Sequence, residues 1–339
     1  MTTGCSDRPL RGADLRAQAI VGAYRLAVAL AARVPPRVAY PVLDAAGDFV
    51  YRASPGARRA VMANLARVMA SRPRRHRARA ARLVFRHALR NYYDTFRLPA
   101  MSVAEIADFV PIVGAEYVEA GLAAGRGVIV VTAHVSSLVV GAQALAQRFG
   151  GASVVVEPLD PPELLDLMLA VRASHHLKML PLGPRLAVDL AAALRRNELV
   201  FLAVDRDFGA ASLRIPFFGA PAPIPTGPAL LALRTGAVLL SAFVSRRPDS
   251  RLQGVVDPPI PIVLTGSLRA DVTRITEAVA GRLEYHIGRY PEQWTVLQPV
   301  WGSVGTDGTA DHSRTTGESG GARRAAVATD TTDEGRRAR

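Results

Sequence analysis

The residue around which chemistry can be argued is His134. It follows Gly127 and the β-branched run Val128 to Val131, then Thr132 and Ala133, and it precedes Ser136, Ser137 and an Ala-rich apolar stretch reaching Arg148. A short β-branched run behind a glycine turn reads as a strand buried on both faces. The two serines offer N-cap hydroxyls to a following helix. His134 therefore stands where a buried strand ends and a helix begins, the edge of an α/β sheet at which ligands bind. An imidazole there titrates near neutral pH beside helix N-terminal amides that attract negative charge. From position alone, a His satisfied by local backbone is the alternative reading.

Other polar residues fall at comparable places. Glu157 follows a strand over Ser153 to Val156. Asp205, Arg206 and Asp207 follow a strand over Leu199 to Val204, and Arg172 lies on a helix opened by Pro162. Together with His134 these outline one pocket at the carboxyl edge of one sheet. Several chemistries are excluded. Gly121, Gly125 and Gly127 precede a strand rather than follow one, so they form no dinucleotide fingerprint, and no phosphate-loop Gly-Lys-Ser/Thr occurs. There is no Gly-x-Ser-x-Gly nucleophile elbow. His175-His176 has no acidic or Cys companion at ligand spacing, so no metal is expected. Cys5 is the one cysteine, which leaves no disulfide framework and suits a reducing compartment.

The elements that must position these residues follow from pattern. With 339 residues and 49% hydrophobic content the chain can bury a large core. Its formal charge of +13, carried by arginines and the single Lys178, points to anionic partners. From Met101 on, βα pairs repeat: a strand at Val110 to Val113 and a helix at Ala115 to Ala124 lead into the His134 strand and its helix. Further helices are predicted at Leu186 to Arg196, behind Thr226-Gly227-Pro228, and over 271–288, with a strand at Ala237 to Val244. Such alternation implies an α/β fold with a mainly parallel central sheet flanked by helices. Residues 1–14 and the Gly/Ser/Thr/Asp/Arg-rich 304–339 are expected to be disordered. Residues 15–100 form an N-terminal helical region and 101–303 the α/β core. No signal peptide or membrane span is expected: Met1 to Asp14 is polar, and the apolar window 127–147 carries His134 and reads as strand plus helix.

The N-terminal region carries its own signal. Two helices are expected, from Leu15 to Val34 and through Val42, Ala46, Phe49 and Val50, broken at Pro35-Pro36. In 72–93, Arg75, Arg79, Arg82, Arg86 and Arg90 fall on one helical stripe while Ala81, Phe85, Ala88 and Tyr92 fall on another. A basic amphipathic helix of this kind fits an anionic membrane surface; a solvated face is the alternative. Nucleic acid is not expected, because no basic–aromatic binding module surrounds it.

The sequence resembles the bacterial lipid A / phosphatidylinositol mannoside acyltransferase family, within the glycerolipid acyltransferases, from about Ala23 to Trp301. The resemblance is carried by Ala23-Tyr24-Arg25, Asn64-Leu65-Ala66-Arg67-Val68, Thr132-Ala133-His134, Glu157-Pro158-Leu159 with Arg172, and Asp205-Arg206-Asp207. Phe217-Phe218-Gly219, Gly227-Pro228-Ala229-Leu230-Leu231-Ala232, Pro291-Glu292-Gln293-Trp294 and Trp301 complete it. The Asp-Arg-Asp and Pro-x-x-Trp blocks are closer to the mannoside branch. The resemblance implies acyl transfer from a thioester donor, acyl-CoA or acyl carrier protein, to a hydroxyl of a membrane lipid or glycolipid, with no resident cofactor. It also implies a His that takes the hydroxyl proton, oriented by an acid five residues later. A hydroxyl is a poor nucleophile until a base removes its proton.

At that fifth position this chain has Val139, and Ser136 and Ser137 replace the polar–aromatic pair usual there. Three readings are open: another carboxylate has taken over, the enzyme is slow, or catalysis is lost. The expectation carried forward is a peripheral acyltransferase whose N-terminal amphipathic helices lie on anionic lipid at the cytoplasmic face of the plasma membrane. His134 is its base, and Asp205, Asp207 or Glu157 orients it. Arg172 binds a phosphate or donor anion, with Glu157, Ser136, Ser137 and Arg206 also lining the substrate site. An inactive lipid- or partner-binding relative and an acyl hydrolase are the alternatives.

Overall fold

The computed structural model describes residues 12–156, 163, 177–207 and 211–302. Glu157, Arg172, the helix expected from Pro162, and the tail 304–339 lie outside them.

Four helices come first: α1 (Gly12–Arg33), α2 (Pro36–Ala53), α3 (Pro55–Val68) and α4 (Arg74–Arg97). Prolines at the start of α2 and α3 preset the helical φ where no N–H partner is needed. Three arginines of the α4 stripe pair with acids of α2, Arg86 and Arg90 half-buried and Arg82 still exposed. Arg86 Nη2 and Nε donate to the Asp48 carboxylate of α2 at 2.6 and 2.8 Å, and Arg82 joins them there. Arg90 Nη2 and Nε donate to Asp44 at 2.6 and 2.7 Å. Hydrogen bonds from Arg82 and then Arg86 hold the Asp48 carboxyl well below the usual carboxylate range. Arg75 and Arg79 are exposed. Close approach of the two helices depends on Gly47, where a Cβ would lie 2.8 Å from the Arg86 Cα. With its acids turned toward α4, α2 leaves Val38, Val42 and Phe49 exposed.

The imidazole of His87 on α4 is pushed down to about 3, first by burial and then by the nearby Arg246 and Arg90 charges. It is neutral in the folded chain, so below its ordinary range the unfolded chain binds the extra proton. Stability is therefore expected to fall as pH drops from about 6.5 toward 3, by up to about 1.4 kcal/mol per unit from this group. Denaturant unfolding at pH 7 and pH 5 should show a smaller loss for His87→Gln than for the wild type. Equal losses would place the effect in other groups.

A short α5 (Val103–Phe109), closed by a Ser102–Glu105 capping box, leads into the α/β region. It comprises β1 (Ile112–Val113), α6 (Ala115–Ala123), β2 (Val128–Thr132), α7 (Leu138–Phe149), β3 (Ala152–Val156) and β4 (Leu177–Pro181). After these come α8 (Leu186–Arg195), β5 (Leu199–Ala203), β6 (Ser212–Phe217), β7 (Ala220–Pro225) and α9 (Gly227–Thr235). The region ends with β8 (Val238–Arg246), β9 (Leu252–Val256) and α10 (Leu268–Arg289). Among the described residues seven strands form one sheet in the order β1-β9-β8-β2-β5-β3-β4. All neighbours run parallel except β8 and β9, so the fold is the α/β class read from the sequence. The strand at β4, the antiparallel β9 and helix α3 carry no clean period in the sequence and were not expected. Phe218-Gly219 form the turn of the separate β6–β7 hairpin, with Phe217 closing β6 opposite Ala220.

The central strands explain the core. In β2 and β5, Ile129, Val131, Val200 and Leu202 enter one apolar layer, with α8, α9 and α10. Val128, Val130, Leu199 and Phe201 enter the other, against α7. Alternate residues of a strand point to opposite faces, so strands apolar throughout must be covered on both. Gly127, just before β2, has φ +74°, and a Cβ there would meet the Leu194 carbonyl at 2.6 Å.

Candidate active site

β2 and β5 are adjacent and parallel, with Thr132 opposite Ala203. Continuing that register by two residues sets His134 opposite Asp205, just beyond the carboxyl ends of both strands. His134 Nδ1 lies 2.7 Å from Asp205 Oδ1, and the His134 backbone N–H donates to Asp205 Oδ2 at 2.9 Å. The Trp294 indole N–H donates to that same Oδ2 at 2.7 Å. The Asp205 side chain is 0% exposed and that of His134 26%. Burial by itself would push the Asp205 carboxyl up. The His134 charge, the ring and indole hydrogen bonds and the backbone N–H outweigh it and hold the group below its ordinary range. In the neutral ring with Nδ1–H donated to the carboxylate, Nε2 is the accepting nitrogen. That is the tautomer a general base needs.

The turn carrying His134 is held from the far side by the segment after α10. Thr295 N–H and Thr295 Oγ1 donate to the His134 carbonyl at 2.8 and 3.1 Å, and Ser136 N–H donates to the Gln293 carbonyl at 2.9 Å. A β-bridge joins Val135 to Trp294. Nothing in the pattern Pro291-Glu292-Gln293-Trp294 alone assigns Trp294 a role at the site. Trp294 is 1% exposed, and an indole N–H that deep needs a partner, which Asp205 supplies.

His134 opens onto a cavity of about 870 Å³, within the range of small-molecule sites. Its apolar lining includes Val154, Val156, Leu186, Leu190 and Leu231. Asn91, Thr95, Ser136, Ser137, Arg206, Thr295 and Gln298 bring polar groups to it. Val139 lines the same space where an acid was looked for.

Among the expected site residues, Glu157 and Arg172 lie outside the described residues. Asp205 is the carboxylate against His134. Asp207 is exposed and accepts from Ser212 Oγ at 3.2 Å. Arg206 and both serines line the cavity. The serines do not cap α7. Ser137 occupies the N-cap position without a cap bond, and its hydroxyl donates to Asp94 Oδ2 at 2.6 Å. The charged acceptor on α4 is the stronger partner. Ser136 adopts φ +52°, and its Oγ is buried with no hydrogen-bond partner. Thr226 likewise gives its hydroxyl to the Ala211 carbonyl at 3.0 Å rather than to α9. No group of three His, Cys, Asp or Glu side chains among the described residues could hold a metal ion.

The family model for bacterial lipid A biosynthesis acyltransferase matches residues 14–303. A phosphatidylinositol mannoside acyltransferase of Mycolicibacterium smegmatis is 31% identical over 254 residues, 74% of this chain and 82% of that protein. One from Mycobacterium tuberculosis is 33% identical over 220 residues, 62% of this chain and 67% of that protein. The lipid A biosynthesis lauroyltransferase of Escherichia coli is 29% identical over 157 residues, 45% of this chain and 50% of that enzyme.

Proposed function

We propose that this chain, which belongs to the bacterial lipid A biosynthesis acyltransferase family and is an acyltransferase acting on lipid or glycolipid acceptors, uses His134 as its general base. The acyl donor is a thioester, acyl-CoA or acyl carrier protein. The acceptor is a hydroxyl of a membrane glycolipid or phospholipid such as a phosphatidylinositol mannoside, a reading supported by the names of the mycobacterial relatives.

One observation carries the mechanism: a buried carboxylate on Nδ1 of a His whose ring faces the cavity. The acceptor O–H gives its proton to Nε2 as the oxygen attacks the thioester carbonyl. The new C–O bond forms, the C–S bond breaks, and the leaving sulfur takes the proton back from the imidazolium. Asp205 holds the ring and balances the imidazolium, so it fills the part left empty at Val139. The apolar lining of the cavity takes the acyl chain. Arg172, outside the described residues, binds a phosphate or donor anion in this reading. Incubation with labelled acyl-CoA and extracted membrane lipids tests it. Label in lipid is expected; label recovered as free fatty acid means a hydrolase, and unreacted donor means a binding protein.

The protein works, in this proposal, as a peripheral enzyme at the cytoplasmic face of the plasma membrane. No described helix is long and apolar enough to cross a membrane. What supports surface binding is the exposure of Leu26 and Leu30 on α1 and of Val38, Val42 and Phe49 on α2. Exposed Arg75 and Arg79 add positive charge. Each arginine near an anionic surface contributes about 1 kcal/mol. Sedimentation with anionic liposomes is expected to weaken at high salt and to weaken further in Val42→Asp/Phe49→Asp. Equal binding of wild type and variant to vesicles at both salt concentrations would contradict this orientation.

A further inference from the structure

β8 ends on Arg246, whose side chain is 1% exposed, as is that of its partner Asp94 on α4. A charged pair this deep is costly to desolvate, and apolar residues of similar volume are often as stabilising. Stability alone is a poor reason for its presence. Its connections suggest another. Asp94 Oδ1 accepts from Tyr40 OH at 2.7 Å, and Asp94 Oδ2 accepts from Ser137 Oγ at 2.6 Å. Arg246 Nη2 donates both to Asp94 Oδ2 and, at 2.9 Å, to Ser137 Oγ. Ser137 is thus gripped by cation and anion together, three residues after His134.

The backbone of Arg246 makes a second link. Its N–H donates to Gln293 Oε1 at 2.6 Å, and its carbonyl accepts from Gln293 Nε2 at 2.9 Å. Gln293 in turn accepts the Ser136 N–H, and the next two residues bind Asp205 and the His134 carbonyl. Ser136 between these anchors has a left-handed φ of +52°, unusual for a residue with a side chain. A turn in that conformation needs holding from outside. Both holds lead to Arg246.

We propose that Arg246 and Asp94, acting through Ser137 and Gln293, are positioning residues that keep the His134 turn in its reactive geometry. The inference rests on His134 being the base. Ser137 borders the cavity, but its hydroxyl is engaged on protein partners and is a link rather than a substrate contact.

The test compares purified full-length variants for kcat, acceptor KM and melting temperature. Ser137→Ala leaves the ion pair and its Tyr40 bond in place. Its kcat is expected to fall about ten- to a hundred-fold, the scale of a misplaced catalytic group, with KM changed less than about two-fold. Ser137→Thr keeps the hydroxyl and should recover most of kcat. Ser241→Ala is the matched control on the same strand, removing a fully buried hydroxyl that donates to Asp257 Oδ2 at 2.6 Å. It should lower the melting temperature comparably and leave kcat at the wild-type value. Wild-type kcat in Ser137→Ala overturns the proposal, and so does an equal loss of kcat in Ser241→Ala. An active His134→Ala protein removes the base and this proposal with it. An inactive one beside a fully active Ser137→Ala removes the positioning role alone.

Discussion

Replacing His134 with Ala is expected to lower acyl transfer by about 10²–10⁴-fold, the span associated with a lost general base, while the chain remains folded. The fold should survive because the substitution removes a side chain that is 26% exposed and leaves Asp205 two donors, the backbone N–H of residue 134 and the Trp294 indole. Initial rates at saturating donor, with thermal melting as the folding check, measure both halves of the expectation. Activity within a few-fold of wild type would take His134 out of the mechanism.

Asp205→Asn is expected to cost a similar factor, about 10²–10⁴ in kcat. Asn has nearly the shape of Asp, and its oxygen can still accept from Trp294. It supplies no charge for the imidazolium, and its NH₂ can turn the ring to the wrong tautomer by donating to Nδ1. The charge term is large because the Asp205 side chain is 0% exposed, so water cannot substitute for it. Val139→Asp in the Asp205→Asn background should restore part of the loss, since residue 139 lines the same cavity and a carboxylate there has access to the site. A fully active Asp205→Asn protein would exclude Asp205 as the orienting acid.

How much of this was legible in sequence depends on the kind of contact. The strands at Val128 to Val131 and Leu199 to Val204 are readable because both are apolar at every position. Their pairing as neighbours followed only from tertiary structure. Once they are adjacent and parallel, His134 and Asp205 fall 71 residues apart at equivalent positions. That is why Asp205 could be named as the substitute acid while the contact itself could not be derived. Long-range polar choices were hidden for the same reason. Ser137 has the residue type and place of an N-cap, yet Asp94, 43 residues earlier, offers its hydroxyl a charged acceptor. The arginine stripe on α4 read as a surface feature because Asp44 and Asp48 belong to another helix. Charge runs report what a helix could bind, and only packing decides which partner it meets.

Release of the donor thiol from acyl-CoA by the wild-type protein, followed with and without a phosphatidylinositol mannoside acceptor, separates direct transfer by His134 from a covalent or hydrolytic route. A general base that activates the acceptor hydroxyl makes thiol release depend on that hydroxyl. The account predicts rapid release with acceptor present, little without it, no acyl group left on the protein, and loss of release in His134→Ala. Thiol release at the same rate without acceptor, or one acyl group bound per protein, would contradict direct transfer driven by His134 and Asp205.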